Sequence, residues 1–87
     1  MGNTRIITLI TDFGEASGYV GIMKGVILSI NPQCHIIDIT HHISPQDREE
    51  AAFVLQSVHP FFPPNTIHLV VVDPGVGSER KPIIVES

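Results

Sequence analysis

The chain has 87 residues, 43% of them hydrophobic and 16% charged, with five Lys/Arg against nine Asp/Glu for a formal charge of −4. That length holds one domain, and the composition is too apolar and too weakly charged for a disordered segment. A mildly acidic chain with no Lys/Arg cluster argues against a nucleic-acid or anionic-membrane surface. Cys34 is the single cysteine, which excludes an internal disulfide framework and a cysteine-based zinc site. It reads as a small buried apolar residue. The apolar run at residues 6–10 is too short for a signal peptide or a membrane span, so the expected residence is cytoplasmic.

Residues 5–11 (RIITLIT) are rich in β-branched side chains and continuously apolar at the centre, as in a strand covered on both faces. Asp12-Phe13-Gly14 ends that strand in a turn. From Tyr19 the period changes, and Tyr19, Met23, Val26 and Ile30 predict an amphipathic helix with those residues inward. Gly21 and Gly25 lie within it and would permit close packing on a sheet, and Asn31-Pro32 stops it.

Residues 35–40 (HIIDIT) predict a second strand. Ser44-Pro45-Gln46-Asp47 predicts a helix start, with Ser44 as the cap, Pro45 at the first helical position and Asp47 in the first turn. Ala51, Val54, Leu55 and Val58 form its inward stripe, while Arg48, Glu49 and Glu50 face water. Residues 59–65, with three prolines, predict a loop, and residues 66–73 (TIHLVVVD) a third strand. Pro74-Gly75-Val76-Gly77 breaks the chain, and residues 82–85 begin a fourth strand.

This alternation predicts an α/β fold, a mostly parallel sheet with helices on both faces. Three or four strands with unpaired edges suggest the amino-terminal portion of a longer domain. In such a sheet, ligands bind outside the carboxyl ends of the strands. Those ends deliver Asp12 with its loop, then Thr40, His41 and His42, then Asp73 and the turn leading to Arg80. Each has a plainer reading. Asp12 can bond its own backbone, Asp73-Pro74-Gly75 is an ordinary turn sequence, and Arg80 beside Lys81 can be a solvated pair. His41 and His42 are adjacent, point apart in an extended segment and suit structural hydrogen bonds better than one metal. Lys24 reads as a solvated or snorkelling side chain. Neither Gly-rich stretch matches a phosphate loop or a dinucleotide fingerprint.

Four blocks point further: Thr11-Asp12-Phe13-Gly14, Tyr19-Val20-Gly21-Ile22-Met23-Lys24-Gly25, Asp38-Ile39-Thr40-His41, and the run VVDPGVGSER at residues 71–80. In order and spacing they resemble the S-adenosyl-L-methionine hydroxide adenosyltransferases, a family that includes fluorinating and chlorinating enzymes. The resemblance covers essentially the whole chain. It implies binding of S-adenosylmethionine as substrate, attack by a nucleophile at ribose C5′ and loss of methionine, without metal or cofactor. With water the products are adenosine and L-methionine.

The resemblance also implies an α/β domain followed by a β-rich one, and homotrimers that hold the substrate between subunits. These 87 residues would be the first part of the first domain, inactive alone. Asp12, with Phe13 and Gly14, matches the segment that holds the ribose hydroxyls. Asp73 and Arg80 match two members of an Asp-Arg-His set tied to the water-using enzymes. The third lies beyond residue 87 in the family, and none of the five His here takes its place. Asp73 favours water over halide, since a carboxylate repels an incoming anion. Ser17 departs from the family, which usually has Asp there. A halogenase of the same family, a non-catalytic receiver-type module and a structural remnant that binds nothing are the alternatives. A receiver needs clustered carboxylates for Mg²⁺, and Asp12 has only Glu15 near it in sequence.

Overall fold

The computed structural model describes residues 5–14 and 18–72 and the backbone of residues 83–86. Its elements are β1 (Ile6–Thr11), α1 (Tyr19–Ile30), β2 (His35–Thr40), α2 (Arg48–Val58), a 3-10 turn (His59–Phe61), β3 (Ile67–Val71) and β4 (Ile83–Glu86). The sheet order is β2-β1-β3-β4. Strands β2 and β3 flank β1 in parallel, and β4 runs antiparallel to β3. The expected α/β class with a mostly parallel sheet is therefore observed.

β1 is central because it is apolar on both faces. Leu9 and Ile10 point to opposite faces and are both fully buried. On one face Ile10 and Val70 join Ile43, Ala51 and Val72, with Val54 and Leu55 of α2 packed against them. The other face carries Leu9, whose register partner on β2 is Asp38. Lys24 of α1 reaches that Asp38, which places α1 on the face opposite α2. The β1–β2 register shifts between Leu9 and Ile10, so Ile10 pairs with Thr40. Ile39 then packs on the α2 side while Asp38 faces α1.

Two expectations about the helices need correction. In α1 Met23 lies inward as expected, but the other three residues of the expected stripe do not. Tyr19, Val26 and Ile30 are 56%, 55% and 80% exposed, while Val20, Met23, Lys24 and Ile27 form the half-buried face. The helix is apolar all round, so its period does not select a face; the Lys24–Asp38 contact does. Gly21 and Gly25 are exposed, and a Cβ at either position would meet nothing within 4 Å, so neither serves close packing among the described residues.

The second correction concerns α2, which starts at Arg48 and is capped by Asp47 rather than Ser44. Ser44–Asp47 is a turn closed by the Asp47 N–H donating to the Ser44 carbonyl at 2.9 Å. Gln46 has φ +66°, so Pro45 serves the second position of a type II turn. The Asp47 carboxylate accepts from the Glu50 N–H, and the Glu50 side chain accepts in turn from the Ser44 N–H, both at 2.9 Å. The expected inward stripe holds, with Ala51 buried and Val54, Leu55 and Val58 half-buried.

Cys34 is buried, as expected. His68 on β3 is fully buried, bonded through Nδ1 to the Thr8 hydroxyl at 2.7 Å, and its Nε2 has no partner among the described residues. Burial, reinforced by the nearby His59, lowers its pKa from the ordinary 6.5. The unfolded chain therefore takes up this proton first, and the stability associated with neutral His68 fades as pH falls below 6.5. No helix of the described residues is long and apolar enough to cross a membrane.

The α2 cap yields a direct expectation. Asp47→Ala should lower stability by about 1 kcal/mol, and Asp47→Asn should recover most of it. Thermal unfolding of the three proteins measures both.

Candidate active site at the carboxyl edge of the parallel strands

Because β1, β2 and β3 are parallel, their carboxyl ends share one edge of the sheet. Asp12 follows β1 directly and is half-buried. Its N–H donates to the Val71 carbonyl at the end of β3 (3.3 Å), and its Oδ2 accepts from the Gln46 N–H at 3.5 Å, the outer limit for such a bond. Asp12 thus sits between β3 and the turn that leads into α2. Gly14 takes φ +70°, a left-handed conformation that favours glycine, and its N–H donates to the His41 carbonyl at 2.7 Å. Phe13 packs its ring on Tyr19 with centroids 5.8 Å apart.

His41 organises this edge. It is 9% exposed and bonds both ways through its ring: Nδ1 to the Thr11 hydroxyl and Nε2 to Asp38 Oδ1, each at 2.7 Å. Lys24 Nζ donates to the other Asp38 oxygen, also at 2.7 Å. The Thr11 hydroxyl oxygen in turn accepts the Phe13 N–H at 3.2 Å. Donor counting gives the polarity of the chain. Ionised Asp38 only accepts, so Nε2 carries a hydrogen; in the neutral ring Nδ1 then accepts from the Thr11 hydroxyl. A helix lysine, a strand aspartate, a loop histidine and a strand threonine thereby form one line ending at the Phe13 amide.

Burial works against ionising Asp38, but the hydrogen bonds and charges of Lys24 and then His41 together outweigh it. The carboxyl is held below its ordinary value of 3.8. Asp38 remains 43% exposed, so this pairing tunes the edge rather than anchoring the fold.

The described residues thus bring Asp12, Phe13, Gly14 and His41 together. His42 is exposed, its N–H donating to the Thr40 hydroxyl at 3.0 Å, so the two histidines do point apart. Asp73 and Arg80 lie outside the described residues. Among the described residues no group of three or more His, Cys, Asp or Glu could hold a metal ion. The Lys24–Asp38 link escapes a reading by local spacing, since the two are 14 residues apart on different elements. The available signal was an acidic residue inside an otherwise apolar strand opposite a lone helix lysine.

Comparison with known proteins decides the family. Residues 7–87 match the SAM hydroxide adenosyltransferase N-terminal domain. The chain belongs to this family. It is 52% identical over 86 residues to the (R)-S-adenosyl-L-methionine hydrolase of Methanocaldococcus jannaschii, covering 94% of this chain and 32% of that protein. It is 32% identical over 78 residues to the fluorinase of an Actinoplanes species, covering 90% of this chain and 26% of that protein. An uncharacterized conserved protein from Thermotoga maritima superposes with TM-score 0.78 at 51% identity, over 86% of this chain and 29% of that one. The chain therefore spans about a third of the length of the curated hydrolase it matches.

The acid dependence of the edge follows from Asp38. Its folded pKa is depressed, so its contribution to stability is present above pH 3.8 and lost as pH falls through the lower folded value. Unfolding measured from pH 7 down to pH 2 should show that loss, and Asp38→Asn should flatten this part of the profile. Parallel profiles for the two proteins would contradict the pairing.

Proposed function

We propose that the complete gene product hydrolyses S-adenosyl-L-methionine to adenosine and L-methionine, with these residues supplying the amino-terminal part of its α/β domain. The observation that carries this reading is the 52% identity to a named hydrolase, against 32% to a fluorinase. Asp12 at the sheet edge supports it, because one carboxylate can accept hydrogen bonds from both the 2′ and 3′ hydroxyls of a ribose.

The reaction is a displacement at C5′. A water oxygen forms a bond to C5′ as the C5′–S bond breaks, the bonding pair leaves with methionine sulfur, and the water gives up one proton. The sulfonium is already an excellent leaving group, so the step requires no metal and no organic cofactor. What the protein must supply is an in-line, poorly solvated water. Asp73 is assigned to orient that water and accept its proton, and Arg80 to favour the developing hydroxide. Asp73 also weighs against a halide nucleophile, which a neighbouring carboxylate would repel.

The wider arrangement we assign is a homotrimer with a second, β-rich domain, resident in the cytoplasm. The exposed apolar residues Tyr19, Ile22, Val26 and Ile30 along α1 support a larger assembly, since so continuous a stripe is uncommon on a free surface.

Incubation of the complete gene product with S-adenosylmethionine, followed by chromatography, tests the reading. Adenosine and methionine should appear in equal amounts and without dependence on chloride or fluoride. A 5′-halogenated nucleoside as the main product would overturn it. Asp73→Asn should cut kcat at least about a hundredfold with little change in substrate affinity, whereas Asp12→Ala should act mainly on affinity.

A further inference from the structure

We propose that His41 is a positioning residue for Asp12, acting through Thr11 and Gly14 to fix the carboxylate for ribose recognition. The proposal rests on the reading of Asp12 as the ribose-binding group. Its basis is that His41 holds the Asp12 loop from both sides. Through its ring it orients the Thr11 hydroxyl, which receives the Phe13 N–H; through its carbonyl it receives the Gly14 N–H at 2.7 Å. Asp12 lies between these tethered positions, and its own N–H is held by Val71. The backbone that carries the carboxylate is thereby pinned at three consecutive amides, two of them through His41.

The ring itself is held from behind. Asp38 accepts from Nε2, and Lys24 holds Asp38, so α1 and β2 determine the ring orientation and the proton position that the Thr11 hydroxyl encounters. This is the arrangement expected where a recognition group must be placed within a fraction of an ångström by a supporting shell. A tie serving only to join strands would have no reason to end on the two amides that directly follow a half-buried carboxylate. The polar line also lies on the α1 face of the sheet, away from the apolar cluster under α2. Its removal should therefore leave that cluster intact.

Binding of adenosine and of 2′,3′-dideoxyadenosine to the complete gene product separates positioning from general support. Thr11→Val keeps the shape and β-branching of the strand residue but removes the hydroxyl. It should weaken adenosine about tenfold, as expected for losing a properly placed hydrogen-bonding group, and leave the dideoxy compound unchanged. Thr11→Ser should retain the wild-type preference. His41→Leu should behave as Thr11→Val does, and His41→Asn, which can present an acceptor near the Nδ1 position, should recover part of the preference. Should His41→Leu fail to fold, the Thr11 pair still decides.

Unchanged adenosine binding in His41→Leu or in Thr11→Val, or equal weakening of both nucleosides, would overturn the positioning role. Asp12→Ala provides the separate control. If it keeps the full preference for adenosine, the ribose reading of Asp12 fails. If it abolishes the preference while Thr11→Val does not, only the role of His41 fails.

Discussion

Parallel pairing of β1 with a strand on each side is the constraint from which the remaining arrangement follows. A parallel pair cannot be joined by a tight turn, so each connection must carry a helix across a face of the sheet. β1 leads to β2 on one side, and β2 then leads to β3 on the other, which places α1 and α2 on opposite faces. β1 is then covered on both faces, which its fully buried Leu9 and Ile10 suit and which Thr8 and Thr11 tolerate because their hydroxyls are bonded. The same pairing sends three carboxyl ends to one edge. The loop that carries Asp12 and the segment of His41, far apart in sequence, meet there through the Gly14 N–H donating to the His41 carbonyl, before any ligand is considered.

Polar groups at that edge are arranged at some cost and with evident direction. Thr11 is fully buried and His41 nearly so, yet both are bonded, which is the condition for burying such groups without a large penalty. Lys24 and Asp38 complete the line at its solvent-facing end. The contrast with His68 is instructive. That ring is fully buried and bonded through Nδ1 to Thr8, but its Nε2 lacks a partner among the described residues and burial lowers its pKa. One histidine is integrated in a charge-terminated chain, and the other is simply kept neutral by its surroundings.

Much of this was legible in the residues themselves. The strands and helices follow from where apolar period changes, and the tip residue Asp12 and the divergent pair His41 and His42 follow from strand ends and alternation. What escaped was set by partners distant in sequence. α1 is apolar on all sides, so only its contact with Asp38 reveals which face is covered. Pro45 suits both a first helical position and the second position of a turn, since each requires φ near −65°. The positive φ of Gln46 selects the turn, and Asp47 then becomes the cap. The family blocks that contain Asp73 and Arg80 are legible as motifs, while the described side chains include Asp12 and stop at Val72.

The proposed hydrolysis requires water to attack C5′ of S-adenosylmethionine. Mass spectrometry of adenosine formed in ¹⁸O-enriched water tests that requirement most directly. The account predicts one heavy oxygen per adenosine, located on the 5′ carbon. Unlabelled adenosine, or label carried by the methionine instead, would contradict it.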